Sequence, residues 1–146
     1  MTKPSSFPIT DPQFIGKLIP QKHPMVMVDS LLEFKNNQIT AALTIKKNNI
    51  FVANHCFQEG GIIEHIAQSI ALYTGYLYFL QDKPAPTGYI GAIKSVTIHG
   101  LPQVDSRLIT QVQVLQEFGG VTLVTAITHH HERLIATAEM KTVLAS

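Results

Sequence analysis

The chain has 146 residues, of which 45% are apolar and only 14% charged, and its formal net charge is +1. This length and apolar content are typical of one compact domain with a real core, so we predict a single domain over residues 1–146, beginning with an extended segment, residues 1–10. Globular chains average about 25% charged residues, and the shortage here indicates apolar surface that an oligomer would cover. A net charge near zero with scattered Lys and Arg excludes nucleic acid as an expected partner.

The compartment is predicted from the cysteine count and from the N-terminal residues. A lone cysteine, Cys56, excludes an intramolecular disulfide and fits a reducing environment. The opening "MTKPSSFPITDP" has three prolines and no apolar run, so it is neither a signal peptide nor an anchor. The apolar run from Gly61 to Leu80 contains too many polar residues to span a membrane. We therefore expect a cytoplasmic protein without a membrane span.

The first half of the chain predicts a helix, a hairpin and a long helix. Thr10 to Gln13 has the form of a capping box with proline in the first turn, which predicts a short helix from about Asp11 to Leu18. Two β-rich segments flank the turn Asn36-Asn37 and predict a hairpin, Met25 to Phe34 and Gln38 to Ile45. An apolar helix follows from about Glu59 to Leu80 and ends at the proline-containing segment before Gly88.

The second half of the chain predicts four strands: Tyr89 to Gly100, Arg107 to Phe118, Val121 to His130 and Arg133 to Leu144. Turn signals separate them, and the short connections favour an antiparallel meander. The order of elements is an α+β plan, in which one antiparallel sheet wraps around a single apolar helix.

Three motifs resemble those of the hot-dog fold, and within it the 3-hydroxyacyl-acyl-carrier-protein dehydratases. "LIPQKHPMVMVD" (Leu18 to Asp29) is similar to the signature LPHxxPxxxVD, with Gln21 at the place of the family's histidine. "IIEHIAQ" (Ile62 to Gln68) is similar to IIEAMAQ, and "YIGAIKSVTIHGLPQVDSRL" resembles xxxGIDxxxFxxxVxPGDxL. The resemblance implies a hot-dog fold with an antiparallel sheet of about five to six strands around one long helix, and a short N-terminal helix.

The same resemblance implies a reaction and its partners. The reaction is dehydration of a 3-hydroxyacyl thioester on acyl carrier protein to the trans-2-enoyl thioester, in fatty acid or polyene-type lipid synthesis. No metal and no cofactor of its own is implied, because 4'-phosphopantetheine arrives with the acyl carrier protein. The implied assembly is a homodimer or higher oligomer with catalytic groups from opposite subunits, or a heterodimer with a homologue.

The candidate catalytic and substrate-binding residues cluster at the start of the long helix. By resemblance, Glu64 matches the helix glutamate that handles the departing hydroxyl, and desolvation in an apolar tunnel keeps such a carboxyl group protonated as an acid. Gln68 lies one turn later and could orient Glu64. Gly60 and Gly61 open the helix, so their N–H groups could approach the thioester oxygen. The plainer alternatives are a Glu64 satisfied by helix N–H groups and a Gln68 lining a dimer interface.

The candidate base, His55, lies in a loop that departs from the family pattern. The family's catalytic histidine belongs to the motif GHFPGKPxxPG, fourteen residues before the glutamate, whereas "NHCFQEGG" places His55 nine residues before Glu64. In this the sequence resembles a shortened dehydratase-like branch associated with aryl polyene and related lipid pathways. Two alternatives stay open: a hot-dog acyl thioesterase, and a non-catalytic partner subunit of a heteromeric dehydratase. The run His129-His130-His131 is interpreted as a solvated turn rather than a metal site.

Overall fold

The computed structural model describes residues 6–145. Its elements in chain order are α1 (Pro12–Leu18), β1 (Ser30–Lys35), β2 (Gln38–Thr44), β3 (Val52–Ala53), β4 (Cys56–Phe57), α2 (Glu59–Leu80), β5 (Gly88–Ile98), β6 (Arg107–Phe118), β7 (Val121–His130) and β8 (Arg133–Leu144). Six strands form one antiparallel sheet in the order β1-β2-β6-β7-β8-β5, and β3 pairs with β4 in a separate small hairpin. Neither helix is long and apolar enough to cross a membrane, within the part of the chain that the structure describes.

The predicted α+β plan is confirmed, but the predicted meander holds for three strands only. Strands β6, β7 and β8 pair in sequence, whereas β5 pairs with β8 through contacts such as Gly88 with Leu144. The 22-residue helix α2 separates the first strands from β5, so the chain enters the sheet again at the opposite edge. As a result β5 is an edge strand.

Two local predictions near the N-terminus were wrong in detail. Helix α1 is capped by Asp11, whose carboxylate accepts a hydrogen bond from the Gln13 N–H at 3.1 Å, so Thr10 is not the cap. The strand predicted from Met25 begins only at Ser30. Before Ser30, the backbone of Met25 and Met27 forms hydrogen bonds with the Gln68 side chain of α2 and not with a neighbouring strand. Of the extended segment predicted for residues 1–10, residues 1–5 lie outside the described part of the chain, and Ile9 bridges to Leu31.

Helix α2 packs against one face of the sheet, with one stripe left half-buried. It packs against β2, β5, β6, β7 and α1. Its core positions include Ile62, Ile66 and Leu72, none of which is accessible to solvent. The half-buried stripe follows helical spacing and faces β5: Glu64, Ala67, Ala71 and Thr74. The helix is therefore buried on most sides but open toward the edge strand.

Replacing Gly75 with Ala is expected to destabilise the protein by about 1 to 3 kcal/mol, because overpacking forces the backbone apart. A Cβ at Gly75 would overlap the carbonyl oxygen of Leu18 and lie 2.9 Å from its carbonyl carbon, where α1 crosses α2. Gly16 is the matched control, since a Cβ there meets nothing within 4 Å, and Gly16→Ala should be neutral or stabilising by up to about 1 kcal/mol. Urea unfolding measures both changes, and equal losses would contradict a specific contact at Gly75.

Candidate active site

A groove of about 310 Å³ runs between α2 and the edge strand β5. Small side chains on the helix, Ala67 and Ala71, leave the space, and Tyr89 and Ile90 of β5 form the opposite wall. Glu64 is the first α2 residue along this groove, and Gln21, from the loop after α1, lines it as well. The groove is thus mainly apolar and carries a carboxyl group near the N-terminal end of the helix.

Glu64 is held by Gln68, as the one-turn spacing predicted. Gln68 Nε2 donates a hydrogen bond to Glu64 Oε2 at 2.6 Å and another to the Met25 carbonyl at 2.8 Å. Gln68 Oε1 accepts from the Met27 N–H at 2.6 Å, and the Gln68 side chain is completely buried. Three contacts therefore fix the carboxamide in one orientation. Glu64 itself is half-buried and forms no salt bridge within residues 6–145, so no cation neutralises it there.

The two glycines at the start of α2 are in different situations. A Cβ on Gly61 would lie 2.5 Å from the Phe57 ring and 2.7 Å from Phe51 Cβ, so close packing requires glycine there. The Gly61 N–H donates to the Gln58 carbonyl at 3.0 Å. Gly60 is exposed, and its N–H makes no hydrogen bond to any residue between 6 and 145. Gly60 is thus the glycine whose N–H is left without a partner there, and neither glycine is among the residues that line the groove.

His55 lies away from the groove within one chain. It forms the turn between β3 and β4 together with Asn54, and both have positive φ angles (64° and 53°). Such paired left-handed residues are typical of a tight two-residue hairpin turn. The His55 side chain is exposed, and its carbonyl accepts from the Val104 N–H at 3.1 Å. The structure therefore brings Glu64 and Gln68 together and leaves His55 outside the residues that line the groove.

A buried histidine next to Glu64 was not singled out by the sequence. His65 Nδ1 lies 2.7 Å from the Met27 carbonyl, and His65 Nε2 lies 2.8 Å from Thr110 Oγ1. Because a carbonyl only accepts, Nδ1 carries the proton and Nε2 accepts from the Thr110 hydroxyl, which in turn accepts from Thr128 at 2.6 Å. His65 thus ties the loop before β1, the helix and two strands together beneath Glu64.

Burial lowers the pKa of His65 from its usual 6.5 to about 4, although the Met27 hydrogen bond and the charge of Asp29 act in the opposite direction. At neutral pH the ring is therefore uncharged and serves the fold. The available sequence signal was its place on the buried face of α2, between the core positions Ile62 and Ile66.

The site and the architecture together define a class of protein. One long helix packed against a six-stranded antiparallel sheet is the hot-dog fold predicted from the motifs, and its helix carries a carboxyl group beside an apolar groove. The chain belongs to the ApeP-like family, described as ApeP dehydratase, whose family model matches residues 13–146.

Comparisons with individual proteins agree with this family. A 3-hydroxyacyl-[acyl-carrier-protein] dehydratase FabZ from Anaeromyxobacter sp. is 28% identical over 148 residues, covering 94% of this chain and 92% of the relative. An uncharacterized thioester dehydrase from Halalkalibacterium halodurans is 24% identical over 131 residues, covering 86% and 83%. Among solved structures, the dehydratase heterocomplex ApeI:P from Xenorhabdus doucetiae superposes with a TM-score of 0.84 at 15% identity, covering 90% of this chain and 91% of that chain. The predicted fold and the predicted relation to dehydratases are confirmed.

Proposed function

We propose that this protein dehydrates a 3-hydroxyacyl thioester carried on acyl carrier protein to the trans-2-enoyl thioester, with Glu64 as the acid. The observation that carries the proposal is the position of Glu64, at the start of an apolar groove and fixed by the buried Gln68. A base takes the proton from C2, the C3–O bond breaks, and Glu64 gives its proton to the departing hydroxyl, which leaves as water. The C2–C3 double bond forms with the released electron pair.

The surroundings of Glu64 suit this chemistry. Apolar walls exclude water from the acyl chain and strengthen each polar contact made inside the groove. The Gly60 N–H, at the positive end of the α2 dipole, is a donor for the thioester oxygen, where negative charge grows when C2 loses its proton. The reaction needs only an acid, a base and this donor, so the 4'-phosphopantetheine of the carrier is the only prosthetic group involved.

The base is proposed to be His55 of a second subunit in a homodimer. His55 is exposed and lies outside the groove of its own chain. The edge strand β5 exposes apolar side chains, including Tyr89 (62% exposed) and Ile93 (46% exposed), beside backbone groups that no strand pairs within the described residues. Such an edge pairs readily with another strand. A second copy bound at β5 would cover this surface and place another chain beside the groove.

A second candidate function is that of a partner subunit in a heteromeric dehydratase. It is supported by the place of His55 outside the groove and by the structural relative, which is itself a dehydratase heterocomplex. In that case the same β5 edge would bind a homologue, and one subunit of the pair would supply the base.

Hydration of a trans-2-enoyl thioester by the purified chain tests the proposal, followed as loss of enoyl absorbance. A homodimer that is active alone is the expected result. Activity that appears only after a homologous dehydratase subunit is added would favour the second candidate function, that of a partner subunit. Release of free thiol without hydration would instead indicate a thioesterase.

The origin of the two groups can be tested by mixing inactive variants. If Glu64 and His55 act across the dimer, Glu64→Gln and His55→Ala should each be inactive alone. Their co-expression should restore about a quarter of the activity, since half of the dimers are mixed and each mixed dimer has one intact site of two. No recovery in verified mixed dimers would place both groups in the same chain. Full activity of His55→Ala on its own would remove His55 from the reaction.

A further inference from the structure

Gln21 presents a buried hydrogen-bonding atom that nothing in the described chain satisfies. Its Oε1 is buried and has no partner within residues 6–145, and Gln21 lines the same groove as Glu64. Buried side-chain oxygens are satisfied in the large majority of cases, so an exception calls for an explanation. Because Gln21 shares this groove with the candidate catalytic carboxyl group, the missing donor is expected to belong to a ligand.

The loop that carries Gln21 is fixed from both sides. Lys22 Nζ donates to the Gly16 carbonyl at 2.6 Å and to the Ile19 carbonyl at 3.2 Å. Further along, the Met25 N–H donates to the Lys22 carbonyl at 2.9 Å, and Gln68 binds the Met25 carbonyl at 2.8 Å. The backbone of Gln21 is therefore held in place before substrate arrives, and its side chain belongs to the lining of the groove. A turn of the carboxamide would bring the buried Oε1 to a ligand there.

We propose that Gln21 accepts a hydrogen bond from the 3-hydroxyl of the substrate, an inference that rests on the proposed dehydration. Along a simple 3-hydroxyacyl chain the hydroxyl is the only donor, because the thioester oxygen only accepts and the remaining chain is hydrocarbon. A hydroxyl has one proton and two lone pairs. Donating the proton to Gln21 leaves a lone pair free to receive the proton of Glu64 as the C3–O bond breaks, and the product leaves as water.

Gln21 should therefore distinguish the hydroxyacyl thioester from the enoyl thioester, which lacks this donor. Gln21→Met keeps the length of the side chain and removes its polar atoms. We expect it to weaken binding of the 3-hydroxyacyl thioester about tenfold and to leave binding of the enoyl thioester within about twofold. Gln21→His keeps a neutral acceptor and should retain most of the preference. Because Gln21→Met removes an unsatisfied buried oxygen, it should not lower the stability of the protein toward urea. If Gln21 had a purely structural role, the same substitution would lower that stability.

The test is equilibrium binding of 3-hydroxyacyl and enoyl pantetheine thioesters of equal chain length, in a Glu64→Gln background that prevents turnover. Dissociation constants are needed because the reaction equilibrium ties together the forward and reverse values of kcat/KM. A selective loss for the hydroxyacyl thioester in Gln21→Met would support the inference. Equal losses for both thioesters, or no loss for either, would overturn it while leaving the dehydration intact. If the protein with Glu64 intact hydrates no enoyl thioester and neither thioester binds, the proposed function itself is overturned.

Discussion

Glu64→Gln is expected to lower the rate of enoyl thioester hydration by about 10² to 10⁴, the usual contribution of a positioned acid or base. The replacement has almost the same size and can still form a hydrogen bond with Gln68, which lies 2.6 Å from the carboxylate. A carboxamide, however, cannot exchange a proton with the hydroxyl in the reaction. Initial rates at saturating thioester should therefore fall while the affinity for the thioester changes little.

Glu59→Gln is the matched control for this variant. Glu59 is an exposed carboxylate in the first turn of the same helix and does not line the groove. Its loss removes the same charge from the helix terminus, where a carboxylate contributes about 0.3 to 1 kcal/mol to stability. Hydration by Glu59→Gln should stay within about twofold of the unmodified protein. A similar collapse in both variants would mean that charge at the helix terminus, and not proton transfer by Glu64, determines the rate.

The stability of the fold is expected to fall by about 3 kcal/mol as the pH drops from 7 to 3, through His65 alone. In the unfolded chain a histidine has a pKa near 6.5, whereas burial lowers the pKa of His65 to about 4. Between these values the unfolded state binds one more proton than the folded state, so stability rises with pH. The contribution is complete above about pH 6.5 and is lost as the pH falls through 4. Urea unfolding at half-unit pH intervals measures this slope.

His65→Gln separates this effect from the titration of the carboxyl groups. The variant should be less stable at pH 7, because Met27, Thr110 and Thr128 lose their arrangement of hydrogen bonds around the ring. Its stability should also change less between pH 7 and 4 than that of the unmodified protein. His131→Gln removes an exposed histidine from a turn and should leave the slope unchanged. Equal slopes in all three proteins would show that His65 is not the titrating group.

Most of the fold could be predicted from the sequence, because the signals for its helices and strands lie between residues close together in the chain. Periodicity and turn residues defined the long helix and the strands after it, and the spacing of Glu64 and Gln68 predicted their contact. What it missed depends on residues far apart in the chain. Gln68 binds the Met27 N–H 41 residues away, and His65 binds a carbonyl 38 residues away and a threonine 45 residues away.

The same reason explains the two elements that were predicted incorrectly. Strand β5 joins the sheet beside β8 rather than β6, which follows from the path of the chain around α2 and not from the composition of β5. The segment Met25 to Asp29 has a β-rich composition, yet its backbone is bound by side chains of the helix. Gln21 likewise could not be selected from the sequence, because its candidate role depends on the groove that it lines.

The outer edge of β5, which no strand pairs between residues 6 and 145, also has an evolutionary consequence. Backbone pairing at a sheet edge makes few demands on side-chain identity, so an edge that binds an identical copy can also bind a diverged one. After gene duplication, two such chains can exchange partners while each retains a complete fold. If the catalytic groups act across the dimer as proposed, a pair in which one copy has lost its base still keeps one of its two sites. The loss of a single catalytic residue would then make such a chain depend on its relative for activity.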